Sequence, residues 1–384
     1  MRIAIDARFA SGKTAGVGRY TLNLISSLIR GLDKDELFIF CNETPNESAG
    51  DRINYLMTSI TPEMHPAGEL WQNIVLPLRL KKNHMDIFHS PAFFLPIFTP
   101  GSKKIVTIHD LAVFKFPQAF PCNFAKYLQF MVRLSTRVAD RIIADSITVK
   151  NDLVDLLKIK KEKISVIHAG IDNVFAKQNI NPPRPPLSRG GKERISNFKE
   201  NRNLTKGFIL YAGTIEPRKN LINLIRAFSI FKERGSKQKL VIAGKKGWLY
   251  EKSIEEAKNS RFADDIIFTE YIPDEELRLY YSACDVFVYP SIYEGFGLPP
   301  LEAMACGAPA VVSDIPVFRE VLGEAAVFVD TGNPENIAEG IHKVLDGIKL
   351  RETIIAKGRE RVKSYSWKKA AEETLKLYEE VLID

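Results

Sequence analysis

The sequence predicts an α/β protein made of two doubly wound, Rossmann-like parallel-sheet domains. The chain has 384 residues, which exceeds the roughly 250 to 300 residues at which a single core usually stops growing. Short runs rich in β-branched and aromatic residues alternate with helical patterns, first over residues 1–175 and again from residue 207. Strands that alternate with helices form a parallel sheet covered on both faces, so we expect two such sheets.

The predicted strands follow one another along both halves of the chain. In the first half they are 2–6, 37–41, 86–89, 104–109, 141–145 and 164–167. In the second half they are 208–211, 239–243, 266–268, 286–289, 310–312 and 326–329. Two such units are expected to face a central cleft, because open α/β sheets bind ligands outside the carboxyl ends of their strands.

Two further segments complete the predicted organisation. Residues 176–206 contain four prolines, a Gly-Gly pair and little apolar periodicity, which indicates a linker or insertion. The tail has a helical pattern of apolar residues and is expected to form a C-terminal helix that packs back towards the N-terminal domain. The predicted domains are 1–175, expected to bind an acceptor; 176–206, the linker; 207–365, expected to bind a donor; and 366–384, the helix.

The composition is that of an ordinary soluble globular protein, with 45% hydrophobic and 26% charged residues. Counting Lys and Arg minus Asp and Glu gives +5 for 1–175, +6 for 176–206 and −4 for 207–384. A positive first half attracts anions, so an anionic membrane surface, a phosphorylated lipid acceptor and nucleic acid are all candidates. Solvated surface charge is the alternative, because no block of five like charges occurs.

The cysteines are far apart in the sequence and form no CxxC pair, so reduced cytosolic thiols are expected at Cys41, Cys122, Cys284 and Cys306. The first residues read as a strand rather than a signal peptide, and no stretch approaches ~18 uninterrupted apolar residues. The expected location is the cytoplasm, with the inner face of the cell membrane as a peripheral site.

Three motifs of the first half could carry chemistry. Gly16 to Tyr20 follows the first strand and opens an apolar-faced helix, where glycines let backbone N–H groups approach an anion, although a plain turn explains it equally well. Residues 7–14 resemble a P-loop, but Ala7 replaces its first glycine, so we reject that interpretation. His109 ends a central strand and is expected to point at the cleft, with a core histidine as the alternative.

Two motifs of the second half stand out more clearly. Arg218 and Lys219 begin a helix after a strand and suit a diphosphate whose charge grows as a bond to it breaks, with a solvated basic turn as the alternative. Glu294 lies in a glycine-flanked loop, and Glu302 is expected in the first turn of the helix that follows. Each carboxylate can accept hydroxyl hydrogen bonds, although Glu302 could act merely as a partner of the helix dipole.

No metal site is expected. Asp33-Lys34-Asp35 formally matches the Asp-x-Asp motif of metal-dependent sugar transferases, but it occupies a polar turn and is expected to be exposed. The sequence contains no HExxH or GxSxG motif.

With these motifs in order along nearly the whole chain, the sequence resembles the retaining glycosyltransferases of family 4, which have the GT-B fold. The shared motifs are Gly16 to Tyr20, His109-Asp110, the run 168–172, Glu216 to Asn220 and the pair Glu294 and Glu302. The chain departs from the family where many members carry an arginine after the strand that precedes the lysine. Here that position reads Gly213-Thr214, so part of the phosphate charge must be met differently.

The resemblance implies a catalytic group of His109, Arg218, Lys219 and Glu294, in which His109 faces the reacting sugar and the two cations bind the donor diphosphate. It implies donor contacts by Gly16, Gly295, Phe296, Gly297, Leu298 and Glu302, with Glu302 on the ribose hydroxyls. It implies acceptor contacts by Gly18, Arg19 and Tyr20. A nucleotide sugar would be the co-substrate, without a metal or other cofactor.

The pattern is similar to bacterial mannosyltransferases of surface-polysaccharide assembly, which favours GDP-mannose as donor and a saccharide or lipid-linked saccharide as acceptor, with no nucleic-acid partner. UDP-glucose and dTDP-rhamnose remain open. An inactive nucleotide-sugar- or glycan-binding module is the alternative function, since a fold does not fix an activity. A dinucleotide oxidoreductase is disfavoured, because the segment that starts at Gly16 lacks the third glycine of G-x-G-x-x-G.

Overall fold

The computed structural model describes residues 1–10, 16–32, 34–42, 53–58, 68, 70–176 and 189–383. Contacts between residues divide the chain into two compact units. The first unit comprises Met1–Lys115, Asn123–Gly170 and Tyr365–Asp384, and the second comprises Phe116–Cys122 and Ile171–Ser364. The predicted fold class of two parallel-sheet domains is confirmed by the two sheets described below.

In the described part of the first unit, seven parallel strands lie in the order β3-β2-β1-β4-β5-β6-β7. They are β1 Arg2–Asp6, β2 Glu36–Cys41, β3 Ile53–Met57, β4 Ile87–Ser90, β5 Lys103–Ile108, β6 Arg141–Ala144 and β7 Ile164–Val166. The helices include α1 Val17–Gly31, α2 Leu76–Lys82, α3 Ala112–Lys115, α4 Cys122–Val138, α5 Ile147–Leu157 and a C-terminal helix Trp367–Ile383. The strand order reverses between β1 and β4, which marks the crevice where such sheets bind ligands.

In the described part of the second unit, six parallel strands lie in the order β10-β9-β8-β11-β12-β13. They are β8 Phe208–Ala212, β9 Lys239–Ala243, β10 Ile266–Glu270, β11 Val286–Tyr289, β12 Ala310–Ser313 and β13 Val327–Val329. The helices include α6 Asn173–Ala176, α7 Arg189–Asn201, α8 Leu221–Glu233, α9 Glu251–Asn259, α10 Asp274–Ala283, α11 Leu298–Ala305, α12 Pro316–Leu322, α13 Pro334–Asp346 and α14 Ile348–Val362. The switch point of this sheet lies between β8 and β11.

The central strands form because their side chains are apolar on both faces. All five residues of β8 are buried, as are all four residues of β11, since helices cover both faces of a parallel sheet. Helix α1 is instead apolar along one stripe, where Tyr20, Leu24 and Leu28 are buried at helical spacing. These rigid strands fix where the loops at their carboxyl ends begin.

The segment predicted as a linker contains a helix. Helix α7 lies within 176–206, and Phe198 on it is 5% exposed and meets the ring of Tyr280 edge-on at 4.8 Å. Arg202 adds a 2.6 Å ion pair to Glu276 on α10. Because this docking rests on one large aromatic side chain and not on an apolar repeat, periodicity did not reveal it. The prolines of this segment lie outside the described residues.

The C-terminal helix packs against α1 within the first unit. Tyr378 on this helix is fully buried, and Trp367 at its first position is 7% exposed. Across the described residues, no helix is both long and apolar enough to cross a membrane.

Candidate active site

The carboxyl ends of β8 and β11 lie side by side, because these strands are neighbours at the switch point of the second sheet. β8 leads to Arg218 and Lys219, and β11 leads to Glu294. Lys219 forms an ion pair with Glu294 Oε1, although the two residues are 75 positions apart in the sequence. Nη1 of Arg218 lies 3.0 Å from Glu294 Oε2. The fold therefore brings together three of the predicted site residues.

Two further acceptors fix the guanidinium of Arg218. Its Nη2 donates to Glu216 Oε1 at 2.8 Å, and its Nη1 donates to the carbonyl oxygen of Tyr293 at 2.8 Å. The side chain of Arg218 is 11% exposed, and Glu216 is 3% exposed. A planar donor group held by several acceptors keeps one orientation, which suits recognition of a tetrahedral anion.

Glu294 is a buried carboxylate that stays ionised. Burial alone would raise its pKa, but the charges of Arg218 and Lys219, with hydrogen bonds from Lys219 and Ser291, lower the pKa to about 2. At neutral pH the side chain therefore accepts hydrogen bonds and cannot act as a general acid.

Two residues that the sequence analysis did not identify complete the surroundings of Glu294. Ser291 Oγ donates to Glu294 Oε1 at 2.7 Å, and the Tyr289 hydroxyl donates to the same oxygen at 3.1 Å while accepting from Lys219 at 2.9 Å. Burial, followed by the charge of Glu294, raises the pKa of Tyr289 well above its ordinary value, so the phenol keeps its proton. Their position at the carboxyl end of β11 was the available signal.

Glu302 occupies a different environment. It is 2% exposed on α11 and accepts a hydrogen bond from the Tyr281 hydroxyl at 3.1 Å. The helix begins at Leu298, so Glu302 is its fifth residue and lies beyond the first turn. The sequence pattern had predicted it within the first turn. At the fifth position Glu302 is a poor partner for the helix dipole, because the dipole acts mainly within the first turn.

The loop before α11 depends on Gly297, which has a φ of 96°. A Cβ atom there would come within 2.6 Å of the Phe318 ring, so a side chain would require both strain and displacement. Gly295 and Phe296 lie between Glu294 and this glycine, and Phe296 is 5% exposed. Gly297 therefore fixes the turn by which the predicted donor-binding loop enters α11.

The loops after β8 and β9 touch through two glycines. Gly213 and Gly244 have φ values of 153° and 152°, and a Cβ on Gly244 would lie 1.9 Å from the carbonyl oxygen of Gly213. Ile215 N donates to the carbonyl oxygen of Lys245 at 2.9 Å. Lys245 and Lys246 are exposed and were not identified from the sequence. They bring positive charge to the region where the family pattern has an arginine.

In the first unit, His109 follows β5 and is held on both ring nitrogens. Nδ1 donates to Asp145 Oδ2 at 2.6 Å, and Nε2 donates to the carbonyl oxygen of Pro91 at 2.7 Å. Burial lowers the pKa of His109, but Asp145, the Pro91 carbonyl and Asp110 together raise it above its ordinary value. With an acceptor on each nitrogen, the imidazolium form is stabilised.

The residues of the glycine motif lie in different environments. Gly16 has a φ of 56° and precedes α1, and among the described residues beyond its chain neighbours no atom lies within 4 Å of the place where its Cβ would be. Gly18 is buried, and Arg19 is half-buried. Tyr20 is 3% exposed, and its ring lies edge-on against His109 at 4.6 Å. Tyr20 therefore packs edge-on against His109, and the acceptor contact that the resemblance implies for Gly18, Arg19 and Tyr20 stays a prediction.

Two interpretations concern residues that are not described. Residues 11–14 of the P-loop-like segment and Asp33 of the Asp-x-Asp motif lie outside the described residues. Asp35 lies 2.5 Å from the amino group of Met1. Within the described ranges, no group of three or more His, Cys, Asp or Glu side chains is arranged to hold a metal ion.

Comparison with protein families gives two matches along the chain. Residues 14–174 match the family described as Glycosyltransferase Family 4, and residues 192–361 match the family described as Glycosyl transferases group 1. One match lies in each half of the chain.

Two of the similar proteins are bacterial mannosyltransferases. O-antigen chain mannosyltransferase B of Escherichia coli is 28% identical over 94% of this chain and 95% of its own length. O-antigen chain mannosyltransferase RfbU of Salmonella typhimurium is 28% identical over 63% of this chain and 60% of its own length. The crystal structure of Anabaena HepE in complex with UDP and glucose superposes with a TM-score of 0.76 at 17% identity, covering 99% of this chain and 100% of that one. That structural likeness shows the fold.

Proposed function

Because the chain belongs to the family 4 glycosyltransferases, we propose that it transfers a hexose, with retention, from a nucleotide sugar to a saccharide or lipid-linked saccharide. Mannose is the favoured sugar and GDP-mannose the favoured donor, because the two bacterial relatives are O-antigen mannosyltransferases and one aligns over nearly its whole length. The proposed setting is cell-surface polysaccharide biosynthesis.

The observation that carries this proposal is the cluster of Arg218, Lys219 and Glu294. Departure of a nucleoside diphosphate places growing negative charge on the phosphate oxygens, and fixed cations nearby stabilise that charge. Lys219 and Arg218 would contact the diphosphate, and Glu294 would accept hydrogen bonds from the sugar hydroxyls. A diphosphate needs no proton to leave, which agrees with the low pKa of Glu294.

Once Glu216 is counted with this cluster, the charges cancel, because the two cations Arg218 and Lys219 are matched by two carboxylates, Glu216 and Glu294. Additional positive potential is therefore needed for a diphosphate. We propose that helix N-termini and the exposed Lys245 and Lys246 supply it, so that catalysis proceeds without a metal ion.

For the remaining residues we propose the roles that the resemblance implies. Glu302 would accept hydrogen bonds from the ribose hydroxyls, and His109 would contact the reacting sugar. Both N–H groups of His109 donate to Asp145 and Pro91, so the imidazolium would act on the sugar through its positive charge and not as a base.

The test is a thermal-shift panel of GDP-mannose, UDP-glucose, dTDP-rhamnose and an ADP-sugar. A donor present at 100 times its Kd adds about 2.7 kcal/mol to the free energy of unfolding. We expect the largest shift with GDP-mannose and a smaller one in Lys219→Ala, followed by proton NMR showing an α-linked product. No shift with any donor, and no nucleotide release with acceptor extracts, would favour an inactive binding module.

We also propose that the first unit attaches to an anionic membrane through exposed apolar residues on and beside α4. Met131 on this helix is 4% exposed and belongs to the core, whereas Phe130 is 63% exposed. It shares a helical face with three exposed cations, Lys126, Arg133 and Arg137.

A neighbouring loop extends this surface. Ile97 and Phe98 are 54% and 68% exposed, and Leu95 N in the same loop donates to Ser135 Oγ of α4 at 2.9 Å. Apolar side chains bordered by cations suit the boundary between acyl chains and anionic headgroups.

A further inference from the structure

Two contacts connect the start of the C-terminal helix to His109. The ring of Trp367 meets Tyr20 at 5.2 Å with an interplanar angle of 76°, and Tyr20 meets His109 at 4.6 Å with an angle of 72°. Both Trp367 and Tyr20 are more than nine-tenths buried. An edge-to-face pair of this kind contributes about 0.5 to 1.5 kcal/mol beyond the burial of area, so it favours one ring orientation.

The run 168–172, which the proposed function does not use, fixes where this helix begins. A Cβ on Gly170 would lie 2.1 Å from the backbone nitrogen of Trp367, so glycine permits the close approach of the two backbones. The His168 ring meets the Tyr365 ring edge-on at 5.7 Å, just before the helix starts. Trp367 therefore has a defined backbone position.

The middle of the helix is anchored to the strand that carries His109. The Tyr378 hydroxyl lies 2.6 Å from His89 Nδ1, and His89 Nε2 lies 2.9 Å from Thr107 Oγ1. Burial, followed by the charge of His109, lowers the pKa of His89 to about 3, so this ring is neutral. Thr107 is two residues before His109 on β5. The C-terminal helix is thus connected to β5 by hydrogen bonds through His89, in addition to its ring contact with Tyr20.

Several neighbouring segments contribute groups that contact the His109 ring or influence its charge. Asp145 and Asp110 are the charged groups, Pro91 supplies a carbonyl oxygen, and Tyr20 and His89 are the neighbouring titratable side chains. The two hydrogen bonds require one ring plane, and the rings of Tyr20 and Phe93 meet the imidazole edge-to-face at 4.6 Å and 5.4 Å.

We propose that the C-terminal helix is a positioning element for His109, in which Trp367 holds Tyr20 and Tyr20 holds the imidazole against Asp145 and Pro91. This role goes beyond the proposed function, although its kinetic consequence rests on the proposed contact between His109 and the sugar. Misplacement of a catalytic group by about 1 Å can lower a rate about 100-fold.

The first test is kinetic and uses the full-length protein with GDP-mannose. We expect Trp367→Leu, which keeps an apolar side chain but removes the ring, to lower kcat about 10- to 100-fold with little change in donor KM. Trp367→Phe should recover most of the rate, because a ring again faces Tyr20. Leu382→Ala on an exposed position of the same helix is the matched control and should leave kcat unchanged.

The second test needs no substrate. The pKa of His109 is measured by NMR titration, with its resonance assigned from His109→Gln. In Trp367→Leu we expect the pKa of His109 to fall towards its ordinary value, because the imidazole no longer keeps its hydrogen bonds to both Asp145 and Pro91. Trp367→Phe should show the wild-type value. A purely structural role would change stability without moving this titration.

The outcomes separate the two proposals. Unchanged kcat and an unchanged His109 titration in folded Trp367→Leu would overturn the positioning role. If that variant does not fold, Trp367→Met replaces it, since it keeps a long apolar side chain but no ring against Tyr20, and unchanged kcat and titration there would be equally decisive. If the His109 titration shifts in Trp367→Leu while the wild-type protein does not use GDP-mannose, positioning is supported and the proposed donor is refuted.

Discussion

Replacing Glu294 with Gln should lower kcat while leaving the affinity for GDP unchanged or higher. The variant keeps the shape of the side chain but removes a charge that accepts from Lys219, Arg218 and Ser291. A hydrogen bond to a charged group contributes about 1.5 to 3 kcal/mol. Loss of one such interaction at the transition state corresponds to a decrease in kcat of about 10- to 150-fold.

The opposite effect on GDP follows from the charges of the cluster. In the wild type, Glu294 neutralises part of the positive charge of Arg218 and Lys219. Glu294→Gln removes that negative charge, so a diphosphate meets a more positive site. Calorimetry should therefore show a Kd for GDP no weaker than that of the wild type, and this result would also show that the variant is folded.

Glu302→Gln is the matched comparison, because it is the same chemical change in the adjoining helix. A hydrogen bond to the ribose is similar in the ground and transition states, so this variant should mainly raise the donor KM. The assay is steady-state kinetics with donor varied at saturating acceptor, with circular dichroism for each variant. Depressed kcat in Glu302→Gln, with unchanged kcat and raised KM in Glu294→Gln, would refute the assignment of roles.

Four further outcomes are expected. Turnover should survive EDTA, and loss that Mg²⁺ or Mn²⁺ restores would contradict metal-independent catalysis. Flotation with anionic liposomes should weaken with salt and in the double variant Phe98→Ser and Phe130→Ser, whereas equal flotation with neutral liposomes would contradict the electrostatic part. The double variant Lys245→Ala and Lys246→Ala should raise the donor KM, and an unchanged value would exclude these lysines from the phosphate site. Because the pKa of Glu294 is depressed to about 2 from 4.5, its stabilisation is present above pH 4.5 and is lost as the pH falls towards 2, so the wild-type Tm should fall more steeply over that window than that of Glu294→Gln.

Most of the strands were predictable because buried parallel strands are continuous apolar runs. The strand predicted at 104–109 is β5 at Lys103–Ile108, a shift of one residue. β3 at Ile53–Met57 was not predicted, and four of its five residues are only half-buried while the fifth is exposed. A strand at the end of the sheet order is covered less completely, so its apolar signal is weaker.

The candidate site was predictable where one short motif carries the residue, and less so where burial decides its role. Glu294 and Lys219 were identified from their loops, and the sheet order explains their contact. Tyr20 lies in a motif that suggested an acceptor contact, but its ring is 3% exposed and packs on His109. Tyr20 is four residues before Leu24 and eight before Leu28, so it belongs to the buried stripe of α1, a signal that the acceptor prediction did not use.

The contact between His109 and Asp145 shows what strand order adds. Both residues were visible at the ends of predicted strands, but a sequence does not state which strands are neighbours. In the structure β5 pairs with β6, with Ile108 opposite Ala144, and His109 and Asp145 each come one residue later. Side chains alternate between faces along a strand, so a slip of one residue in this register would turn Asp145 away from the imidazole. The raised pKa of His109 therefore depends on the pairing of β5 with β6, which supplies Asp145, in addition to the neighbouring Asp110 of its own motif.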